Sequence, residues 1–395
     1  MKFIVKIKHT VFLQLLAALL FSLWPSSPAQ AYVGLCCAHC GGNMPLNIFG
    51  GGIPETHEFR VKLTQMFMQM GPLRNGTTDL VTDTLLGTPN GTTSFAVAPR
   101  EMRMYMTMLG LAYSFTDDFA LMVMTSYKRN DMDMVFNAAL TSNAMGNNPT
   151  RARGFTMHSE GLGDTRILGK YRVYANDTLA PTRQVSVLAG LSLPSGNINK
   201  RFTRNPVTGQ NGTILPYKMQ LGSGSFDPLF GLTAQGSTDP FWYGFNAFYI
   251  GRWHENDQGY EQGDEIKWDL YGMYQFHPRA LVHLQLNGHW EDSYNGLPGA
   301  TLFNRNGLFM NGAFLSPLFD PNNYGFTKLN LTAGIQYQPL PLHIMELAAS
   351  KPVYQDVNGP QLKEEWRIMF TYYIEIPTSR SRRYTGTQAP PELGF

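Results

Sequence analysis

Short and long connections alternate strictly along this chain, between stretches that have the pattern of β-strands. Apolar and polar residues alternate with a period of two in twelve stretches after residue 56, which is typical of strands with two different faces. These stretches cover 57–70, 101–116, 118–129, 161–175, 183–195, 225–236, 241–254, 264–277, 279–292, 326–338, 341–350 and 363–376. The short connections are 116–117, 176–182, 236–240, 277–278 and 339–341, and the long ones are 71–100, 130–160, 196–224, 255–263, 293–325 and 351–362. Transmembrane β-barrels alternate in this way between short periplasmic turns and long extracellular loops.

The two faces of the single strands agree with the wall of such a barrel. In the last stretch, Trp366, Ile368 and Phe370 share one face, and Glu365 and Arg367 share the other. A strand of about 9–11 residues with an apolar outer face and a polar inner face spans a bilayer. A soluble β-sandwich has a comparable alternation with its apolar face inside, but the alternating connections and the 13% aromatic content favour a membrane barrel. The sequence therefore predicts an all-β protein, an antiparallel transmembrane β-barrel of about twelve strands.

The beginning of the chain has the layout of a secretory signal. A basic start precedes an apolar stretch from Val11 to Trp24, and Ala29-Gln30-Ala31 supplies the small residues of a cleavage site. We expect four segments: a cleaved signal peptide (1–31), a periplasmic Cys-rich segment (32–56), an outer-membrane barrel (57–376) and a disordered C-terminal tail (377–395). The predicted location is the bacterial outer membrane, with its lipids and the barrel-assembly machinery as partners.

Charge and motifs exclude several classes of function. The 31 Lys and Arg residues nearly balance the 29 Asp and Glu residues, so the charge balance gives no reason to expect nucleic acid as a partner. The chain contains no G-x-S-x-G stretch and no local Ser–His cluster of the kind that barrel lipases need. The sequence predicts that the protein is not an enzyme.

Three motifs resemble those of a known family. They are "GLGDTRILGKYRV" at 161–173, "LAGLSLPSGNIN" at 188–199 and "LGSGSFDPLFGL" at 221–232. In this order they are similar to the bacterial outer-membrane channel family named after the meta-pathway of phenol degradation, and more closely to a Met-rich branch of it. The resemblance implies an outer-membrane β-barrel that passes small molecules.

The motif residues also have expected structural roles. Gly222, Gly224 and Pro228 suit a sharp strand start with a bulge. Four charged residues share one face of the strand 161–175 and are expected to point into the lumen: Asp164, Arg166, Lys170 and Arg172.

Methionines are concentrated on one face of the first three strands. They occupy the same face as Arg60, Lys62 and Lys128, and charged side chains are costly on the lipid face. The sequence therefore predicts a lumenal wall of thioethers made of Met66, Met68, Met70, Met102, Met104, Met106, Met108, Met122 and Met124. Two interpretations stay open. The methionines fill gaps against a plug, or they bind a soft metal ion such as Cu(I).

A cysteine cluster stands shortly after the predicted cleavage site. Cys37 and Cys40 form a C-x-x-C motif, with Cys36 beside it and His39 inside it. These four residues are candidate soft-metal ligands, and a disulfide in the oxidising periplasm is the alternative. No second C-x-x-C is present for a structural zinc ribbon.

The function predicted from these features is an outer-membrane channel for a small solute. Copper or another soft metal ion is its specific form, and no other cofactor is expected. One alternative is a channel for small hydrophobic, aromatic compounds, and another is a structural or adhesive barrel. His283 and His289 face the lumen by register, where they either line the wall or act in metal binding or acid–base chemistry.

Overall fold

The computed structural model describes residues 44–48, 56–86, 95, 97–136, 154–177, 181–203, 212–298, 314 and 316–381. The predicted signal peptide and the tail beyond residue 381 lie outside these ranges. None of the helices in the described ranges is long and apolar enough to cross a bilayer.

Nearly all of the regular structure consists of β-strands. They are β1 (Glu58–Gly76), β2 (Thr78–Leu80), β3 (Val97–Ser114), β4 (Phe119–Phe136), β5 (Gly154–Leu162), β6 (Thr165–Ala175), β7 (Arg183–Leu193), β8 (Asp227–Thr238), β9 (Phe241–Ile250), β10 (Tyr260–Glu261), β11 (Glu265–His277), β12 (Ala280–Glu291), β13 (Asn295–Gly296), β14 (Phe326–Leu340) and β15 (His343–Pro377). A short helix, α1 (Thr82–Leu86), and 3-10 turns at Tyr217–Met219, Pro317–Phe319 and Pro321–Asn323 lie in the connections.

Eleven strands form a closed antiparallel ring. Its order is β1, β3, β4, β6, β7, β8, β9, β11, β12, β14 and β15, and β15 pairs with both β14 and β1. Strand β5 continues the line of β6 along β4, and β2 extends the sheet beside β1. A closed ring satisfies all backbone hydrogen bonds between strands and leaves no edge in the lipid. The predicted all-β transmembrane barrel is confirmed.

Strand β15 crosses the wall twice. Its first half pairs with β14 up to Val357, and its second half pairs with β1 from there to Pro377. The chain reverses near Gly359, whose φ of 68° is in the left-handed region that favours glycine. The amide of Glu375 donates to the carbonyl of Leu342 at 3.0 Å, which joins the two halves. The described wall thus has twelve crossings, as predicted, whereas the long loop expected at 351–362 is strand.

The outer face shows where the bilayer lies. Large apolar side chains are exposed there, between an upper row of aromatics that includes Tyr105, Tyr127 and Trp366 and a lower row that includes Phe59 and Phe119. This pattern is the apolar band with aromatic girdles that outer-membrane barrels show. It places the barrel in the outer membrane, as predicted.

Strands β1, β3, β4 and β5 continue beyond this band. Above it, Arg103 and Asp133 form an ion pair at 2.9 Å on the outer face of β3 and β4. The expectation that 71–100 and 130–160 are loops is therefore wrong at both ends of each range. The change from apolar to charged residues on the outer face marks the edge of the lipid, not the end of the strand.

A charge within the apolar band is expected to destabilise the barrel. Leu109 lies on the outer face of β3, between the two aromatic rows. Leu109→Arg is expected to lower the free energy of unfolding by ~2–4 kcal/mol, because the guanidinium lies in hydrocarbon. Thr156→Arg is the matched control, since Thr156 is exposed above the band. Urea titrations in lipid vesicles measure both, and an equal effect of the two substitutions contradicts the assigned band.

Candidate functional site

Residues 44–48 lie inside the barrel, at its periplasmic end. The amides of Leu46 and Asn47 donate to the Glu346 carboxylate at 2.6 and 2.9 Å. The Lys62 ammonium donates to the Leu46 carbonyl at 3.0 Å, and the Gln336 side chain donates to the carbonyl of Met44 at 3.2 Å. Four polar lumenal contacts of this kind hold a short peptide across the channel, and we call residues 44–48 the plug.

Apolar contacts complete the seating of the plug. Met44 and Ile48 are each 2% exposed and pack with residues from the periplasmic ends of several strands, such as Trp242, Leu281 and Ile344. A cavity of about 40 Å³ remains beside the plug, which is room for a few water molecules at most. Of the expected segment 32–56, residues 44–48 thus lie in the lumen, where polar side chains of the wall hold them.

The connection between β7 and β8 folds into the outer half of the barrel. Met219 and Leu221 are almost completely buried, and the Lys128 ammonium on the lumenal face of β4 donates to the Leu221 carbonyl at 3.0 Å. Tyr217 is packed edge-on against Tyr260, with ring centroids 4.8 Å apart. Burial raises the pKa of the Tyr217 hydroxyl above its usual range, and this hydroxyl donates to the carbonyl of Gly296 at 2.9 Å.

The three family-like motifs meet at one carboxylate. Asp164 accepts hydrogen bonds from the amide of Gly196 at 2.9 Å and from the amide of Ser223 at 2.7 Å. A Cβ on Gly222 would stand 2.3 Å from the Asp164 carboxylate oxygen. Position 222 therefore requires glycine because the Asp164 carboxylate approaches its backbone closely. Position 224 favours glycine because its φ of 77° is in the left-handed region. These residues precede the start of β8, so the expected bulge within its first residues is not their role.

A buried ion network extends from this point across the wall. The Arg252 guanidinium pairs with Asp227, which is completely buried, and with Glu265 at 2.7 Å. Glu265 also contacts the ring of His289 at 3.1 Å and the ammonium of Lys267 at 2.5 Å. Burial by itself would lower the pKa of Arg252, but the charges of Glu265 and Asp227 more than offset it and raise that pKa. Sequence reasoning missed Arg252 and Asp227, because each is a single charge at a strand end.

The remaining charged motif residues lie on the lumenal side of β6. Lys170 and Arg172 are buried, and Arg172 pairs with Asp118 at 2.9 Å near the periplasmic turn. The lumenal direction expected for them agrees with this burial.

The predicted methionine wall is present as a set of cross-strand rows. All nine methionines lie on the lumenal face. Along each strand they alternate with apolar residues that are exposed on the outer face. One row joins Met70 to Met102 and Met102 to Met132. A second row joins Met68 to Met104. Their metal role remains a prediction.

Three further methionines, Met132, Met157 and Met369, extend the wall, and the predicted set of nine did not include them. Met157 on β5 lies opposite Met132, and Met369 on β15 lies opposite Met66. Met369 comes from the last strand, and only closure of the barrel brings it beside the first. Its inward direction could be read from the alternation in 363–376, where Met369 shares the face of Glu365 and Arg367.

A cavity of about 320 Å³ lies above the plug, in the outer half of the lumen. One side is lined by Met68, Met70, Met102, Met104 and Met132. The other side carries Lys218, Lys267, His289, Glu291, Lys328 and Glu364, with Tyr324 and Phe326 beside them. We call this space the outer cavity.

The charged side of the outer cavity is internally paired. Lys328 contacts Glu364 at 2.8 Å, and Lys218 pairs with Glu291 while its ammonium lies 5.2 Å from the centre of the Tyr294 ring. Such pairing places polar groups in the cavity without leaving a large net charge there.

Possible metal ligands fall into three groups. Among the described residues, ligand atoms of Glu265, His289 and Glu291 lie within 4.8 Å of one another, but Arg252, Lys267 and Lys218 already neutralise the two carboxylates. The thioether wall is the second group. The third, Cys36, Cys37, His39 and Cys40, lies outside the described residues, so its predicted metal or disulfide use stays a prediction. His283 is buried beside the plug, 3.3 Å from Glu346, which fits the lining role.

Comparisons with known proteins agree with the fold. No protein-family model matches the sequence, and no curated protein matches it. Among solved structures, an outer-membrane channel of Pseudomonas putida F1 is similar over 83% of this chain and 100% of its own, with 11% identity and a TM-score of 0.51.

Two other similar structures have lower TM-scores. The toluene transporter TodX of P. putida is 10% identical over 82% of this chain and 91% of its own, with a TM-score of 0.39. A FadL homologue of Pseudomonas aeruginosa is 11% identical over 89% and 98%, with a TM-score of 0.35. Only the channel of P. putida F1, with its TM-score of 0.51, supports the fold, and at 11% identity it shows nothing about the cargo. The chain has the fold of bacterial outer-membrane channels, and the narrower family resemblance of its three motifs remains a prediction.

Proposed function

We propose that this protein is an outer-membrane channel whose outer cavity binds a small organic solute before the plug releases it to the periplasm. The size of the cavity carries this proposal. Ligand pockets for small molecules have volumes of roughly 300–1,000 Å³, and the outer cavity has about 320 Å³. A single metal ion needs far less space than this.

The chemistry of the lining favours a mainly hydrophobic solute that carries one polar group. Five thioethers form an apolar surface that adapts to different shapes, and methionine also makes favourable contacts with aromatic rings. The opposite side offers ammonium and carboxylate groups to a hydroxyl or a carbonyl of the solute. The carboxylates of the lining, Glu291 and Glu364, are already paired with Lys218 and Lys328, so they offer little to a free cation. The small hydrophobic compound, not copper, is therefore the better candidate for this cavity.

Indole is a suitable probe, because it is small, aromatic and carries one polar N–H group. We expect indole to shift the methyl NMR signals of Met102 and Met104 saturably in a barrel whose methionines carry a carbon-13 methyl label. The signal of Met273, which lies beside the plug and away from the outer cavity, is expected to stay in place. Met104→Glu is expected to weaken indole binding by about tenfold or more, because it replaces an apolar contact with a charge that must be desolvated.

The control is Met273→Leu, which leaves the outer cavity unchanged. Arabinose, a polar compound of comparable size, serves as the control solute and is expected to shift no methyl signal in the cavity. Equal shifts of Met273 and Met104 with indole would show partition into the lipid or detergent instead of a site, and the proposal would then fail.

A further inference from the structure

Three methionines from three adjacent strands lie directly opposite one another in the middle of the lumenal wall. Met66 on β1 faces Met106 on β3 and, on its other side, Met369 on β15. Directly opposed residues on antiparallel strands have Cβ atoms about 4.5–5.5 Å apart. Thioether side chains on such a row can bring their sulfur atoms to one point.

Apolar residues pack against part of this row. Met66 and Met369 are 7% and 5% exposed, and Ala348 packs beside them with 1%. Met68 and Met104 pack against the same cluster and also line the outer cavity. The row therefore lies next to the outer cavity, and these two methionines connect the two spaces.

Nearby charged and polar groups already have partners. Arg367 lies opposite Met68 and donates to Glu364 at 2.7 Å. Lys128 lies opposite Met106 and donates to the Leu221 carbonyl. Below the row, the hydroxyls of Thr64 and Thr371 are hydrogen-bonded to each other at 3.0 Å. Among these described residues, the thioether sulfur atoms are the groups whose lone pairs can still bind a ligand.

We propose that Met66, Met106 and Met369 form a binding site for a soft monovalent cation, Cu(I) or Ag(I). Thioethers prefer soft ions, and hard cations such as Mg²⁺ and Ca²⁺ select oxygen ligands instead. Three neutral ligands favour a single positive charge over a double one, because the desolvation cost rises steeply with charge. This site is separate from the solute cavity, and it does not depend on which solute the channel carries.

Packing alone is the competing explanation, and it makes a different prediction. Methionine fills irregular gaps, so a purely structural cluster would accept leucine at any of the three positions and would bind no ion. A metal site loses its ligand when sulfur is replaced. Because Met→Leu conserves volume and usually costs less than ~1.5 kcal/mol, the substitution removes the sulfur while preserving the barrel.

The test is a titration of the full chain with silver nitrate in chloride-free buffer, followed by calorimetry and by methionine methyl NMR. Every protein compared also carries Cys36→Ser, Cys37→Ser and Cys40→Ser, so that cysteine sulfur does not compete. Met66→Leu and Met369→Leu are compared with Met273→Leu, a buried lumenal methionine that faces His283 and Trp242 instead of other methionines.

We expect wild type and Met273→Leu to bind one Ag(I), with shifts at the methyls of Met66, Met106 and Met369. Each of the two other variants is expected to bind Ag(I) at least about tenfold more weakly, since even partners outside the ligand shell change metal affinity by 10–100-fold. Equal Ag(I) binding by all variants, absence of binding in wild type, or Zn(II) binding as tight as Ag(I) would each overturn the site. The shift of the Met102 methyl signal with indole measures binding in the outer cavity independently of Ag(I). The metal site and the solute cavity can therefore be disproved separately.

Discussion

Removal of residues 32–48, with the export signal retained, is expected to raise the single-channel conductance of the barrel severalfold. The plug lies across the periplasmic end of the lumen, held by Glu346, Lys62 and Gln336, with a cavity of about 40 Å³ beside it. We therefore expect the plug to obstruct the passage of ions at this end of the barrel. Planar-bilayer recordings of wild type and the shortened chain measure the difference directly, and equal conductance would show that the plug does not limit the flow.

A single substitution tests the same contact without shortening the chain. Glu346→Gln is expected to produce frequent transient openings, because a neutral amide replaces the carboxylate that accepts both plug amides. Hydrogen bonds to a charged group contribute about 1.5–3 kcal/mol, more than neutral ones. Glu364→Gln is the matched control: it neutralises another buried carboxylate of β15 that contacts Lys328 and Arg367 and not the plug. Openings in the control to the same extent would contradict the assignment.

Replacement of Arg252 by methionine is expected to cost ~3–5 kcal/mol of stability, the usual effect of breaking a buried ion pair from one side. Asp227 is completely buried, and Glu265 is almost so. Loss of the guanidinium would leave Asp227 with only the hydroxyls of Ser223 and Ser225, at 2.7 and 2.6 Å. We also expect the outer connections that meet near Asp164 to become susceptible to proteolysis.

Urea unfolding in lipid vesicles measures the cost of Arg252→Met. The control is Arg103→Met, which breaks the ion pair with Asp133 on the outer surface, where the two side chains are 42% and 29% exposed. Exposed pairs contribute about 0–1 kcal/mol, so the control is expected to unfold close to wild type. A similar cost for both substitutions would show that the buried network is not a major source of stability.

The fold was predictable because the bilayer imposes a strong and regular constraint on the outer face. Each strand must present apolar residues such as Leu109 and Leu111 to lipid, and the next residue then points inward by necessity. That rule also gave the direction of Met66 and Met102. This rule holds only within the lipid, so the extensions of β1 and β4 beyond it carry no apolar alternation that would predict them.

The candidate sites were predictable only in part. Methionines at every second position of β3 are visible in the sequence, and so is their common face. The contact of Met369 with Met66 was not found, because it joins the last strand to the first, and Arg252 was missed because it and Asp227 are single charges at strand ends. The sequence likewise showed the three motifs that contain Asp164, Gly196 and Ser223. It did not show that these residues contact one another.

The sequence by itself determined the class of fold, the crossing number and the side of the wall on which each strand residue lies. Period-two alternation and connection length are local properties of the sequence. In a membrane they are enough to specify a closed barrel, because every strand must present its apolar face to lipid. Only the tertiary structure decided what fills the lumen: the plug at Glu346, the inward loop at Met219 and the row of Met66, Met106 and Met369. The physical reason is that the lumenal face accepts polar, charged and apolar residues alike, so its contacts follow from ring closure and from which segments fold inward.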